Sequence, residues 1–271
     1  MKSCAIGIPV YSEEPSRGEL IAFNNVLEIL SEWPIYLIAP EGMDVSIYSN
    51  YSSEIQVIRF SPEYFVGRSG YNKLLLSKHF YQAFSAYEYL LIHQLDAFVF
   101  RDELALWCER GIDYIGAPWY EAPGDRRGEA KVDAPLLGVG NGGFSLRRVS
   151  SSIKVLSSWR LIEPFPRGIR SFLKQFVSGK LLSNRFCSAA HKLKINEDRF
   201  WSEVVPVRFP WFQIPSPFEA VSFAFEVNPR KCFELNGSEL PFGCHAWEKY
   251  DPDFWTNFIS DQYHTLGNTG S

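Results

Sequence analysis

The sequence lacks the features that define several large classes of protein. No uninterrupted apolar run approaches the ~18 residues of a membrane-spanning helix, so no such helix is expected. Cysteine is scarce: five in 271 residues (Cys4, Cys108, Cys187, Cys232, Cys244), scattered and without a CxxC pair. That pattern argues against structural zinc and leaves reduced thiols of a cytosolic protein as the simplest account. An excess of positive charge is also missing. Lysine and arginine total 27 against 31 aspartates and glutamates, a net charge of −4, where a general nucleic-acid binder is usually strongly basic. Residues 1–10 have too short an apolar run, interrupted by Pro9, for a signal peptide and read as a first strand. No internal repeat and no low-complexity tract is found.

What is present points to an ordinary packed core. Apolar residues make up 46% of the chain, within the range of soluble globular domains. Short apolar runs at 4–10, 34–40, 55–60, 89–92 and 112–117 read as strands. Residues 20–30 and 71–87 carry apolar side chains at helical spacing. Strands alternating with helices predict an α/β fold, with a mostly parallel central sheet covered on both faces. One domain over residues 1–271 is expected. In such sheets ligands bind beyond the carboxyl ends of the strands, so polar residues directly after a strand run are the first candidates.

Four runs meet that description. In the first, a buried strand leads into His93, Gln94 and Asp96 before apolar sequence resumes. An aspartate there is either an oxygen ligand for a divalent cation or the cap of a turn. The second places four glycines at 138, 140, 142 and 143 around Asn141; it is either a backbone that approaches a ligand closely or a turn before a strand. It lacks the lysine and Ser/Thr of a phosphate-binding P-loop. In the third, Glu197 and Asp198 precede Phe200 and Trp201. One carboxylate would serve as a general base, or both would cap a helix N-terminus. The fourth sets His245 among aromatic residues, as a metal ligand or as a packed histidine.

Residues 160–194 stand apart, with eight basic residues against a single acid, Glu163. Ile169, Phe172, Leu173, Phe176 and Val177 recur there at helical spacing. This basic helical insertion either packs its apolar stripe on the core or lies on an anionic membrane surface.

Taken in order, the runs resemble a GT-A glycosyltransferase. That superfamily has a first strand touching the nucleotide, a DxD-type metal motif, a glycine-rich acceptor loop, an acidic motif at a helix start and a late histidine. The matching stations are Ile8-Pro9-Val10, Gln94-Leu95-Asp96, residues 140–147, Asn196-Glu197-Asp198 and His245. Tyr71-Asn72-Lys73 is similar to the nucleotide-contacting position before the central strand. The sequences around 94–99 and 241–247 resemble an uncharacterised bacterial domain family of polysaccharide-biosynthesis loci. One departure is Gln94, where the superfamily's motif has its first acid.

The resemblance implies a GT-A, Rossmann-like sheet and transfer of a sugar from a nucleotide-diphosphate donor, such as a UDP-sugar. The acceptor would be a glycan of the bacterial surface, O-antigen included, and possible lipid linkage would bring the enzyme to the inner membrane face. Pro9, Val10, Lys73, Gln94 and Asp96 would bind the donor. Asp96 and His245 would hold Mn2+ or Mg2+. Asp198, with Glu197 as its rival, would be the base of an inverting displacement. Asn141, Gly142 and Gly143 would meet the acceptor, with Trp119, Tyr120 and Trp201 as sugar platforms. The alternatives are a sugar nucleotidyltransferase and a non-catalytic glycan-binding module.

Overall fold

The computed structural model describes residues 2–122, 131, 133–158 and 195–265. The expected basic insertion at 160–194 lies wholly outside them.

Along the chain, β1 (Lys2–Pro9), α1 (Arg17–Ile29), β2 (Ile35–Pro40), α2 (Ser46–Ser49), β3 (Gln56–Phe60), α3 (Gly67–Leu75), α4 (Lys78–Ala83) and β4 (Tyr87–His93) build the first half. There follow β5 (Ala97–Val99), α5 (Leu104–Glu109), β6 (Tyr114–Gly116), β7 (Pro118–Tyr120), β8 (Leu136–Val139), β9 (Phe144–Arg148) and α6 (Val149–Ser157). After residue 195 come the acidic helix Glu197–Arg199, a π-helical turn Phe200–Val204, and helices Val205–Arg208, Pro217–Phe223, Pro229–Leu235 and Pro252–Thr265. Between them lie β10 (Ala224–Phe225) and β11 (Gly243–His245).

Six strands form the central sheet in the order β3-β2-β1-β4-β9-β6. The pairs among β3, β2, β1 and β4 are parallel, and β9 runs antiparallel to both β4 and β6. The expected mostly parallel α/β sheet is therefore the observed one. Its inner strands β1, β2 and β4 are mainly apolar on both faces, as burial by helices on either side demands. Successive side chains alternate: Cys4, Ile6 and Ile8 enter one core with Phe23 and Val26 of α1. Ala5, Leu90 and Ile92 enter a second core with Phe80, Tyr81 and Trp201.

Local sequence sets the helix boundaries. Ser16 begins α1 with a reciprocal cap: its hydroxyl accepts from the Glu19 amide, and Glu19 accepts from the Ser16 amide at 2.7 Å. The expected helix over 71–87 is instead two helices, because Leu76 leaves the helical region and Ser77 is extended. Leu74, Leu75 and Leu76 are all buried, as are Phe80, Tyr81 and Phe84. Three consecutive buried residues span some 200° of a helix, so one straight helix cannot turn both groups to the core. Tyr87, at the end of the expected helix, already belongs to β4.

A smaller sheet, β10-β11-β5, covers one end of the structure. Buried Asn25 of α1 ties it down, donating to the Val99 carbonyl at 2.9 Å and accepting from the Val99 amide at 2.8 Å.

Candidate active site at the carboxyl edge of the sheet

Strand register assembles the site. His93 ends β4 opposite Phe144 of the antiparallel β9, so the loop before β9 arrives where β4 stops. The Gln94 amide donates to the Gly143 carbonyl at 2.8 Å, fixing that meeting. The chain then turns through Asp96 into β5. Strand β11 pairs antiparallel with β5 and sets His245 opposite Ala97. The Ala246 amide donates to the Asp96 carbonyl at 2.8 Å, which locks His245 beside Asp96. On the other side β10 runs parallel to β11, with Phe225 in register with Cys244. Glu226, the next residue, therefore lies against the outer edge of the His245 ring.

His245 Nε2 lies 3.1 Å from both Asp96 Oδ1 and Gln94 Oε1, and Nδ1 lies 3.1 Å from Glu226 Oε1. Burial alone would depress the basicity of this imidazole. Asp96 and Glu226 on its two nitrogens outweigh burial and raise its pKa to about 10. Burial works against the Asp96 carboxylate too, but the neighbouring imidazolium draws its pKa below the usual range. His93 contrasts with it. Burial lowers His93 to about 4, so it is neutral, and neither ring nitrogen has a hydrogen-bond partner among the described residues.

The glycine loop joins this cluster to a second one. A Cβ on Gly143 would overlap the His245 imidazole, and a Cβ on Gly142 would overlap Glu197 Oε1. Two consecutive glycines thus let the backbone pass between His245 and Glu197, the close approach for which glycine is suited. Asn141 sits in the left-handed region at φ 59° and folds the loop by accepting from the Gly143 amide at 2.9 Å. Its buried side-chain amide nitrogen has no partner among the described residues.

Glu197 is itself held at both its carboxylate and its amide. Arg147 of β9 donates to both its oxygens, at 2.8 and 3.0 Å. That guanidinium also donates to Ser145 Oγ and Tyr81 Oη at 3.0 Å. Asn72 of α3 accepts from the Glu197 amide and donates to Asn196, each at 3.3 Å. The side chains of Arg147 and Glu197 are only 1% and 4% exposed. Asp198, by contrast, is half-buried and takes part in no ion pair in the described structure. Burial first, then the charges of Glu197 and Glu226, push its pKa up to about 7.

Asp96 and His245 are in contact, and Asp198 is linked to them through a shared neighbour. Glu226 touches His245 and acts electrostatically on Asp198, and Tyr11 senses both Asp96 and Glu197. Other expected residues are placed differently. Glu197 is committed to Arg147, which takes it out of contention as a free base. Trp201 is 1% exposed, stacked on Phe212 and edge-on to Tyr81 inside the core. Trp119 is buried under Gly140, whose hydrogen alone leaves room for the indole. Tyr120 is buried against Cys232. None of these three rings is available as a sugar platform. Pro9 and Val10 are buried, so only their main chain is near the edge. Lys73 is half-buried on α3, beside Asn72.

Tyr11 and Glu226 were not singled out from the sequence for a role, and Tyr71 and Arg147 were named there only within longer runs. Tyr11 lies two residues past the end of β1 and is 45% exposed, with its ring 5.9 Å from those of Phe65 and Tyr71. Its signal was available, as an aromatic close behind the first strand. Arg147 and Glu226 carried none, because their partners are 50 and 19 residues away.

The donor atoms suit a divalent cation. Ligands about 2.1 Å from a six-coordinate ion stand about 3.0 Å apart when adjacent, close to the 3.1 Å from Nε2 to Oδ1 and Oε1. A carboxylate on the far nitrogen is the usual companion of a metal-ligating histidine. Among the described residues no group of three or more His, Cys, Asp and Glu ligands is gathered, so such an ion would also need ligand oxygens. No helix among the described residues is long and apolar enough to cross a membrane.

A family model described as "Protein of unknown function (DUF5672)" matches residues 54–245. No curated protein matches the chain. Among solved structures, the galactosyltransferase LgtC in complex with donor and acceptor sugar analogues aligns with a TM-score of 0.52 at 12% identity, over 98% of this chain and 96% of that one. An active-site mutant of LgtC aligns with a TM-score of 0.50 at 12% identity, over 96% and 95% of the two chains. Apo mouse xyloside xylosyltransferase 1 gives 0.49 at 12% identity, over 90% and 96%. At these identities the likeness is one of fold, and the fold is the GT-A type implied by the sequence motifs.

Proposed function

The chain belongs to the DUF5672 family, and we propose that it is a glycosyltransferase that takes a sugar from a nucleotide-diphosphate donor such as a UDP-sugar. One observation carries the reading: a cation-compatible donor set (Gln94, Asp96, His245) and a carboxyl tuned to about 7 (Asp198) share the carboxyl edge of the sheet. The first suits a diphosphate, and the second suits removal of a proton from a hydroxyl near neutral pH.

In this reading Asp96, His245 and Gln94 would hold Mn2+ or Mg2+ where the donor diphosphate binds. When bound, the cation supplies charge stabilisation for the departing nucleotide. Tyr11 offers the nucleobase an exposed face, with Phe65 and Tyr71 bracing the ring. Asp198 accepts the proton of the acceptor hydroxyl, and in-line attack opposite the diphosphate inverts the anomeric centre. Such a base contributes on the order of 10²–10⁴-fold. Arg147 neutralises Glu197, so that of the two adjacent acids only Asp198 is left to exchange protons. The free Asn141 amide nitrogen is a donor for a sugar hydroxyl. The acceptor class is a bacterial surface glycan, a reading that rests on the sequence resemblance alone.

The test is a thermal-shift screen of nucleotide sugars with and without Mn2+, followed by turnover with the donor that binds. The donor is expected to stabilise the protein, and Asp198→Asn to abolish transfer while donor binding persists. Full activity of that variant would remove the base assignment. Gln94, replacing an acid, favours a second reading as a non-catalytic binding module, in which sugar ligands bind without metal-dependent nucleotide binding.

A further inference from the structure

Gln94 leaves the proposed cation site with one carboxylate, Asp96, among its three protein donors. A neutral amide oxygen attracts a divalent cation less than a carboxylate does, so the shortfall of charge has to be met elsewhere. The structure holds one other acid in contact with the set. Glu226 Oε1 lies 3.1 Å from His245 Nδ1, the nitrogen facing away from Asp96 and Gln94. Its side chain is only 15% exposed, and that of His245 13%. The contact is therefore shielded from water, where a charge acts strongly.

We propose that Glu226 is a positioning residue that makes the Gln94-Asp96-His245 set competent to bind a divalent cation, by fixing the Nδ1–H tautomer of His245 and supplying the charge that Gln94 lacks. This inference rests on the donor-site reading above. Once a cation takes the place of the proton that Nε2 shares with Asp96, donation of Nδ1–H to Glu226 would keep the Nε2 lone pair on the side of Asp96 Oδ1 and Gln94 Oε1, as a ligating imidazole needs. A carboxylate so placed also makes the imidazole a stronger electron donor. The net charge of Asp96 plus Glu226 then balances that of a divalent ion, although only one of the two acids faces it.

Glu226 is well suited to such a role and to little else at this site. It leaves β10 at a position fixed by the β10-β11 register, so its place beside His245 is set by the sheet rather than by a loop. Its effect on Asp198 is repulsive, which argues against a role in stabilising the ionised base.

The experiment measures Mn2+ binding to the full chain by the electron paramagnetic resonance signal of free Mn2+, with and without UDP. It compares wild type, Glu226→Gln, Gln94→Asp and the double variant. Glu226→Gln is expected to weaken Mn2+ binding about 10- to 100-fold, and Gln94→Asp in the same chain to restore much of the loss. Glu226→Asp keeps the charge with a shorter reach and provides the same readout, at smaller loss, if Glu226→Gln does not fold. Wild-type Mn2+ affinity in whichever variant folds overturns the proposal. So does a Glu226→Gln loss that Gln94→Asp leaves untouched. UDP binding with no Mn2+ binding in wild type also overturns it, while the nucleotide reading stands. Binding of neither Mn2+ nor any nucleoside diphosphate to wild type overturns both.

Discussion

Replacing Arg147 with methionine removes a guanidinium from a setting that nothing else can fill. Its side chain is 1% exposed and that of Glu197 4%, and two hydrogen bonds of 2.8 and 3.0 Å join them. Methionine keeps most of the buried stem but leaves the Glu197 carboxylate enclosed and without a countercharge. Breaking one side of a buried pair costs about 3–5 kcal/mol, a large share of the roughly 5–15 kcal/mol that holds a typical protein folded. For a chain of this size each kcal/mol moves Tm by roughly 2 °C, so a fall of roughly 6–10 °C is expected. Replacing both residues by methionine should recover much of the stability, since a well-packed apolar pair is often as stable as a buried ionic one. Urea unfolding of the two variants measures both effects. A loss below about 1 kcal/mol for Arg147→Met, or a double variant as unstable as the single one, would refute the assignment of Arg147 and Glu197 as a closed pair.

Other outcomes follow from the same geometry. Gly143→Ala puts a methyl into the His245 ring, so His245 must move and Mn2+ binding should fall at least tenfold by calorimetry; Gly138→Ala, where nothing lies within 4 Å, should bind as wild type does. Transfer should fail below about pH 7, because Asp198 acts only when ionised; a pH-rate profile flat from 6 to 8 would contradict this. The raised Asp198 pKa means that the folded state favours the neutral acid, so ionisation destabilises it progressively between the ordinary carboxyl pKa near 4 and about 7. Asp198→Asn should therefore raise Tm at pH 8, with the gain vanishing near pH 4, as differential scanning calorimetry would show. Asn25→Ala leaves the Val99 amide and carbonyl unpaired in the core and should cost about 2–4 kcal/mol, read by chemical denaturation.

The strands and the sheet edge were legible because buried parallel strands announce themselves as short apolar runs. The four motif runs were legible because each interrupts that pattern with polar or glycine residues. Gln94, Asp96 and His245 do meet, and the glycines at 142 and 143 do carry backbone past side chains. The sequence was less informative about which of two adjacent acids faces the site. Glu197 and Asp198 look equivalent in a string, and only β9 bringing Arg147 across separates them. Aromatic residues misled for a related reason: Trp119 and Trp201 stand close to the motifs in sequence, but helix and strand geometry turn both inward. Tyr11 turns outward, since the chain leaves the sheet at that residue. Glu226 has no local pattern at all, and its place is a product of register in a small sheet.

The account rests on a cation being held by Asp96 and His245 within reach of Asp198, and anomalous scattering at the manganese edge tests that most directly. Crystals grown with Mn2+ and UDP should show a single strong peak about 2.1–2.3 Å from Asp96 Oδ1 and His245 Nε2, with diphosphate oxygens completing the shell. UDP bound elsewhere, or manganese bound away from both side chains, would contradict it.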